Sequence, residues 1–239
     1  MKLDALAIGA HPDDIELFVG GTLAKLASLG RKAGVVDLVR GELGSRGTPR
    51  LRAREAAASA KVLGLAVREN LKLTDGQILD TPEARLRVVK VLRKYRPDLV
   101  FTHFAEDKHP DHVYTSHIVT GACYLSGLAK LNTGQPRFRP GKIFYFQLPM
   151  QVQPSFLIDV SGHYAKKMAA IRCFKSQLFD PNSLEPETYL SVPEFLSGHE
   201  SLDRYYGHLM HAEYAEGFYC REPIGIDDPV EFFRKGRKS

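Results

Sequence analysis

Leu3 to Ala10 is a continuous apolar run with a single acid, Asp4, the pattern of a strand buried on both faces. A polar turn follows, and Leu17 to Leu29 reads as a helix with Leu17, Leu23 and Leu26 along one side. Gly20 and Gly21 within it predict close packing, because glycine otherwise weakens a helix interior. Gly34 to Val39 reads as a second strand, followed by a loop rich in glycine (Gly41, Gly44, Gly47) and a helix from Leu51 to Leu63. Leu71 to Leu73 is a short strand, Glu83 to Tyr95 a helix stopped by Pro97, and Leu99 to His103 another buried strand. A helix from Asp111 into Ser126 closes this half. Such alternation predicts right-handed βαβ units around a mostly parallel sheet.

Beyond about residue 135 the texture changes. Ile143 to Gln147 and Phe156 to Val160 read as strands, Tyr164 to Cys173 as a helix, and a last helix lies near His199 to His211 after Pro- and Ser-rich segments. No repeat or low-complexity tract interrupts the chain. One α/β domain spanning residues 1–239, irregular in its C-terminal portion, is the expectation.

Composition narrows the class. Of 239 residues, 44% are apolar and 26% charged, which argues against a disordered or fibrous chain. No apolar run approaches 18 residues, so no membrane span is expected, and the N-terminus reads as a strand and not as a signal peptide. Cys123, Cys173 and Cys220 lie far apart without a CxxC pair, which disfavours a disulfide framework and fits a reducing cytoplasm. The net charge of +5 hints at nucleic acid until it is located. Arg234, Lys235, Arg237 and Lys238 cluster at the C-terminus, and a solvated, flexible tail accounts for them without a nucleic-acid partner.

Two polar clusters fall at strand ends, where open parallel sheets bind ligands. The first is Gly9-Ala10-His11-Pro12-Asp13-Asp14-Ile15-Glu16; the second is Glu106-Asp107-Lys108-His109-Pro110-Asp111-His112. Neither has the glycine pattern and lysine of a phosphate loop. His11 and Asp14, three apart on a turn entering a helix, can converge on one point, and His112 can supply a third arm. Two imidazoles and a carboxylate with an open position is the ligand count of a catalytic zinc site. Asp13 would sit beside the metal and take a proton from bound water whose pKa the metal lowers toward ~7. His109 could carry a second proton or steady an oxyanion, with Asp111 holding its ring. A structural alternative stands beside this one: Asp13 or Asp14 as a helix N-cap with Glu16 completing the turn, and HPDH as a proline-initiated helix start with solvated histidines. Two such turns at matching strand ends favour a metal hydrolase. His103 could line the site, while His117, His163, His199, His208 and His211 read as surface or core residues.

The paired motifs resemble those of the PIG-L/LmbE-like zinc de-N-acetylases, which carry an (A)HPDD-x-E turn and, about a hundred residues later, an HPDH turn. The Gly41-Glu42-…-Gly47-Thr48 loop, Arg52 and Glu55, Lys175-Ser176-Gln177 and Tyr214-Ala215-Glu216-Gly217-Phe218 extend the likeness toward the bacillithiol-pathway N-acetylglucosaminyl-malate deacetylases. The resemblance implies a Rossmann-like three-layer sandwich and cytoplasmic trimers or hexamers. It implies His11, Asp14 and His112 as zinc ligands, Asp13 as general base, and His109 as stabiliser of the tetrahedral intermediate or proton donor to the leaving amine, tuned by Asp111. Arg52 falls where substrate carboxylates would be anchored, Lys108 where relatives can carry an arginine, and Tyr189 could be a mobile tyrosine over the site. The implied substrate is an N-acetylglucosamine conjugate with malate as aglycone. A chitooligosaccharide or glucosaminyl-inositol substrate, or a metal-binding protein without turnover, are the alternatives, and Fe(II), Co(II) or Mn(II) could replace zinc.

Overall fold

The computed structural model describes residues 1–234; Lys235, Arg237 and Lys238 of the basic tail, and the expected flexibility of that tail, lie outside the described residues. Five parallel strands form the central sheet: β1 (Ala5–Gly9), β2 (Ala33–Val39), β3 (Val67–Leu73), β4 (Leu99–His103) and β5 (Lys142–Phe146), in the order β3-β2-β1-β4-β5. The chain starts at the centre, runs outward through β2 and β3, then returns to lay β4 on the other side of β1. The crevice between the carboxyl ends of β1 and β4 is therefore the switch point of the sheet.

Strand alternation sorts β1 cleanly. Leu6 and Ile8 face α3 (Pro82–Tyr95) and α4 (Pro110–Ser126), packing with Val88, Leu92, Ile118 and Val119. Ala5 and Ala7 face α1 (Asp14–Ser28) and its residues Ile15, Val19 and Leu23. The small alanines let α1 approach closely. With α2 (Pro49–Leu63) and α5 (Tyr164–Ile171) beside α1, the result is three layers, as expected. Helices α2, α3 and α4 each open on a capping side chain followed by proline: Thr48 with Pro49, Thr81 with Pro82, His109 with Pro110. Proline at the first helical position has no N–H to leave unsatisfied.

Most boundaries fall within a few residues of the expected ones, and three differences are informative. Helix α1 begins at Asp14, three residues early, so the polar turn runs straight into it. Strand β3 is seven residues long, because Arg68, Glu69, Asn70 and Lys72 break the apolar signal on which a three-residue reading relies. A second sheet pairs β6 (Phe156–Asp159) antiparallel with β7 (Ala215–Phe218), a strand that the sequence marks only as a motif. Short α7 (Pro229–Arg234) has no counterpart among the expected elements, and α6 (Phe195–Leu209) starts earlier than its apolar residues suggest.

The predicted close approach at Gly20-Gly21 is present. A Cβ on Gly21 would lie 2.8 Å from the Val160 side chain, and one on Gly20 would lie 3.3 Å from Lys167 Cγ. Behind α1, Glu216 accepts hydrogen bonds from the Gly21 and Thr22 backbone N–H groups at 2.9 and 2.7 Å. Buried Lys167 bridges Glu216 (3.0 Å) and Asp203 (2.7 Å), binding α1, α5, α6 and β7 together. On the other flank, Glu55 accepts from Ser176 N–H and Oγ–H, and Arg46 donates to the carbonyls of Ser176, Pro186 and Leu178. This joins the glycine-rich loop to the Lys175-Ser176-Gln177 segment.

His199 lies buried against α1, its Nε2 2.6 Å from the Leu17 carbonyl oxygen. Burial, with the nearby Lys167 charge, lowers its pKa to about 3. An unfolded chain takes up that proton below about pH 6.5, whereas the folded chain refuses it until about 3. The stability His199 confers is thus present above 6.5 and lost as pH falls toward 3. Urea unfolding at successive pH values is expected to show wild type losing, relative to His199→Gln, about 1.4 kcal/mol per pH unit across that window. Asp203, raised to about 6 by burial, titrates in both proteins and largely cancels.

Candidate metal centre

The turn after β1 delivers His11, Asp13 and Asp14 into the switch-point crevice. Asp13 sits at φ 122°, ψ −30°, a backbone conformation that non-glycine residues adopt only where the surroundings enforce it. Its side chain makes no N-cap hydrogen bond. Asp14 Oδ2 instead accepts the His11 backbone N–H at 2.7 Å, so the capping alternative fails for both acids. Glu16, completely buried, turns away to Ser59 (2.5 Å) and Arg68, which also grips Asp37 through two nitrogens at 2.9 Å. This strut ties the start of α1 to α2, β2 and β3.

Residues 11, 14 and 112, distant in sequence, meet. The nearest donor atoms of His11, Asp14 and His112 all lie within 4.8 Å of one another. His11 Nδ1 is 3.4 Å from Asp14 Oδ2, and His112 Nε2 is 3.4 Å from Asp14 Oδ1. Burial favours a protonated Asp14, but the charges of His112 and His103 hold its carboxyl well below the usual range. Burial would likewise lower His112, yet Asp14 and Asp107 raise it to about 9; hydrogen bonds to Asp111 and Asp14 raise His11 in the same way against its own burial. The crevice thus demands positive charge at its centre. A divalent cation on two imidazoles and one carboxylate answers that demand, so the donor set fits a metal of the zinc type.

Asp13 is packed against the cluster without joining it. Arg52 donates to Asp13 Oδ2 at 3.0 Å and to the Pro12 carbonyl. Burial raises Asp13 to about 7, with Arg52 opposing and Asp14 reinforcing the rise. Arg52 itself is 4% exposed, enclosed by Gly41 and Gly44. Arg52, expected as a substrate anchor, reaches Asp13 and the Pro12 carbonyl through Nη2, while its buried Nε has no hydrogen-bond partner among the described residues.

His109 stands exposed at the mouth, its ring 4.7 Å from those of both His11 and His112. Burial and the charges of His11 and His112 lower its pKa. The Asp111 backbone N–H donates to His109 Nδ1 at 3.2 Å, which leaves the ring proton of the neutral form on Nε2. The Asp111 carboxylate accepts from Gly76 N–H (2.8 Å) and Ile78 N–H (3.3 Å) and faces His11 Nε2 at 3.4 Å; its charge also raises the His109 pKa against the influences that lower it. Lys108 is exposed and forms no ion pair among the described residues. Tyr189 is 81% exposed and packs on Phe195, with no contact to the cluster.

Three residues matter more than their sequence context suggests. His103, fully buried, stacks on His112 with ring centres 4.1 Å apart; its Nε2 lies 3.1 Å from both the Ala10 nitrogen and Asp14 Oδ2, and its Nδ1 3.0 Å from Gln147 Oε1. Asp107 Oδ2 lies 3.3 Å behind His112 Nδ1, and Asp75 Oδ1 3.3 Å behind His11 Nε2. The Asp75-Gly76 turn follows β3 as a third polar turn at a strand end, hidden in the sequence by the broken apolar pattern of that strand.

The family profile described as "PIG-L: GlcNAc-PI de-N-acetylase" matches residues 6–123, which contain both motifs. The conserved protein TT1542 from Thermus thermophilus superposes with a TM-score of 0.86 at 36% identity, over 95% of this chain and 98% of that one. The diacetylchitobiose deacetylase of Thermococcus kodakarensis is 27% identical over 89% of this chain and 80% of its own. The 4-oxalmesaconate hydratase of Pseudomonas putida is 26% identical over 72% of this chain and 73% of its own.

Among the described residues, Arg52 is the cation that contacts the Asp13 carboxylate. Arg52→Met is therefore expected to move Asp13 titration in the metal-free protein upward from about 7 by about one unit or more. Carboxyl-carbon NMR across a pH series checks this; an unmoved or lowered midpoint contradicts it.

Proposed function

The chain belongs to the PIG-L, GlcNAc-PI de-N-acetylase family, and from that premise we propose that it hydrolyses the N-acetyl group of an amino-sugar conjugate. The observation that carries the reading is Asp13: a buried carboxylate with a pKa of about 7, set beside, and not within, a His11–Asp14–His112 donor set. A hydrolytic base needs that placement, because it must accept a proton near neutral pH without being consumed as a ligand. A protein that only stored metal would have no use for it. The hydratase relative marks a competing use of the same fold, and both reactions would need a proton acceptor; release of acetate separates them.

His11, Asp14 and His112 would hold the cation. When bound there, it supplies Lewis acidity, lowering the pKa of water and polarising an amide carbonyl. Asp13 accepts the proton that water sheds on attacking the carbonyl. Arg52 holds that carboxylate on Oδ2 and keeps its pKa from climbing beyond reach of neutral pH. His109, neutral and carrying its proton on Nε2, donates toward the developing oxyanion or the departing amine. Asp111 acts through His11 and through the peptide N–H that sets the His109 tautomer.

The finer reading is an N-acetylglucosaminyl malate substrate of the bacillithiol route. Lys108, exposed next to His109, would meet a malate carboxylate as a point charge and not a fork. The second reading is a chitooligosaccharide substrate, favoured by the likeness to a diacetylchitobiose deacetylase. An inositol conjugate is the third arm of the comparison.

Protein treated with a chelator is expected to lose acetate release and regain it with zinc. Asp13→Ala should keep one zinc per chain while kcat falls about 10²- to 10⁴-fold; an unchanged rate would remove Asp13 from its role. Rates on malate, chitobiose and inositol conjugates of N-acetylglucosamine, measured as free amine, decide the aglycone. Lys108→Ala should raise KM for the malate conjugate more than for the other two, and equal effects on all three would sink the malate reading.

A further inference from the structure

Asp75 belongs to neither paired motif, yet its carboxylate stands directly behind His11. The side chain is 7% exposed. Oδ2 accepts the Leu43 backbone N–H at 2.8 Å, and Oδ1 turns to His11 Nε2 at 3.3 Å. Asp111 Oδ2, which also accepts the Gly76 N–H, flanks the same nitrogen at 3.4 Å. Asp75 is the nearer of the two, and both present an acceptor to the ring.

A neutral imidazole carries one proton, and the group facing one nitrogen decides which nitrogen keeps its lone pair. With the proton on Nε2 facing Asp75, the lone pair stays on Nδ1, the nitrogen 3.4 Å from Asp14 Oδ2. His112 repeats the arrangement in mirror form: Asp107 backs Nδ1 at 3.3 Å, and Nε2 faces Asp14 Oδ1 at 3.4 Å. Each ring has a carboxylate behind it and its free nitrogen toward the common carboxylate.

We infer that Asp75 is a positioning residue which fixes the His11 tautomer and ring angle, and that through Leu43 it couples the glycine-rich loop to the metal centre. The inference rests on the metal-site reading proposed above. An asparagine at position 75 can turn its amide N–H toward Nε2 and stabilise the tautomer protonated on Nδ1, the nitrogen whose lone pair a cation would need. Carboxylates behind ligating histidines change metal affinity about 10- to 100-fold when altered.

Zinc affinity is measured by competition with a chromophoric chelator for wild type, Asp75→Asn, Asp75→Ala and Asp75→Glu, alongside the thermal midpoint of each metal-free protein. Long-range proton–nitrogen NMR of the zinc-loaded wild type reads the His11 tautomer without any substitution. The expected results are a proton on Nε2 in wild type, zinc bound about 10- to 100-fold more weakly by the Asn and Ala variants, partial recovery with Glu, and metal-free midpoints near wild type. Wild-type affinity in the Asn and Ala variants, or a proton on Nδ1 in the loaded wild type, overturns the role of Asp75 and leaves the metal reading standing. A wild type that binds no zinc overturns the metal reading itself, and the inference with it.

Discussion

Five carboxylates crowd the switch point of the sheet, and their mutual repulsion is the constraint around which the rest is arranged. Asp13, Asp14, Asp75, Asp107 and Asp111 surround the imidazoles of His11, His103, His109 and His112 in a crevice where most of these side chains are buried. Negative charge so concentrated is tolerable only where cations and N–H donors answer each oxygen. The chain answers in two ways: fixed partners at the periphery, in Arg52 and the peptide N–H groups of His11, Leu43, Gly76 and Ile78, and mobile positive charge at the middle. The middle is where a metal ion would replace protons.

That division explains why the two adjacent aspartates behave differently. Asp14 is surrounded by imidazoles and kept ionised; Asp13, one residue earlier, faces a single guanidinium in a dry corner and is pushed to about 7. Neighbours in sequence therefore meet opposite electrostatic surroundings, and a ligand and a base can be adjacent residues.

Legibility follows the physics of each signal. Buried parallel strands announce themselves as apolar runs, so β1, β2 and β4 are readable to within a residue or two. Strand β3 is half-covered and carries charged residues that serve Glu16 and Asp37 through Arg68, so its pattern is broken by the contacts that make it useful. The motif residues 11, 14 and 112 are legible because strand ends place them. Arg52 reads as an anchor for the substrate because an arginine near a site is ambiguous in sequence; its hold on Asp13, beside the Gly41 and Gly44 backbone, is visible only in the fold. Asp75, on an ordinary Asp-Gly turn, carries no sign that its partner lies 64 residues upstream.

The left-handed backbone at Asp13 has a consequence for anyone seeking a hardier enzyme. Glycine relaxes such a conformation, and strain of this sort amounts to about 1–3 kcal/mol. Selection for heat resistance alone would be drawn to the very codon whose side chain is proposed to move the proton. Evolution in the test tube must therefore screen turnover at every round, or it will return a sturdier and inert protein.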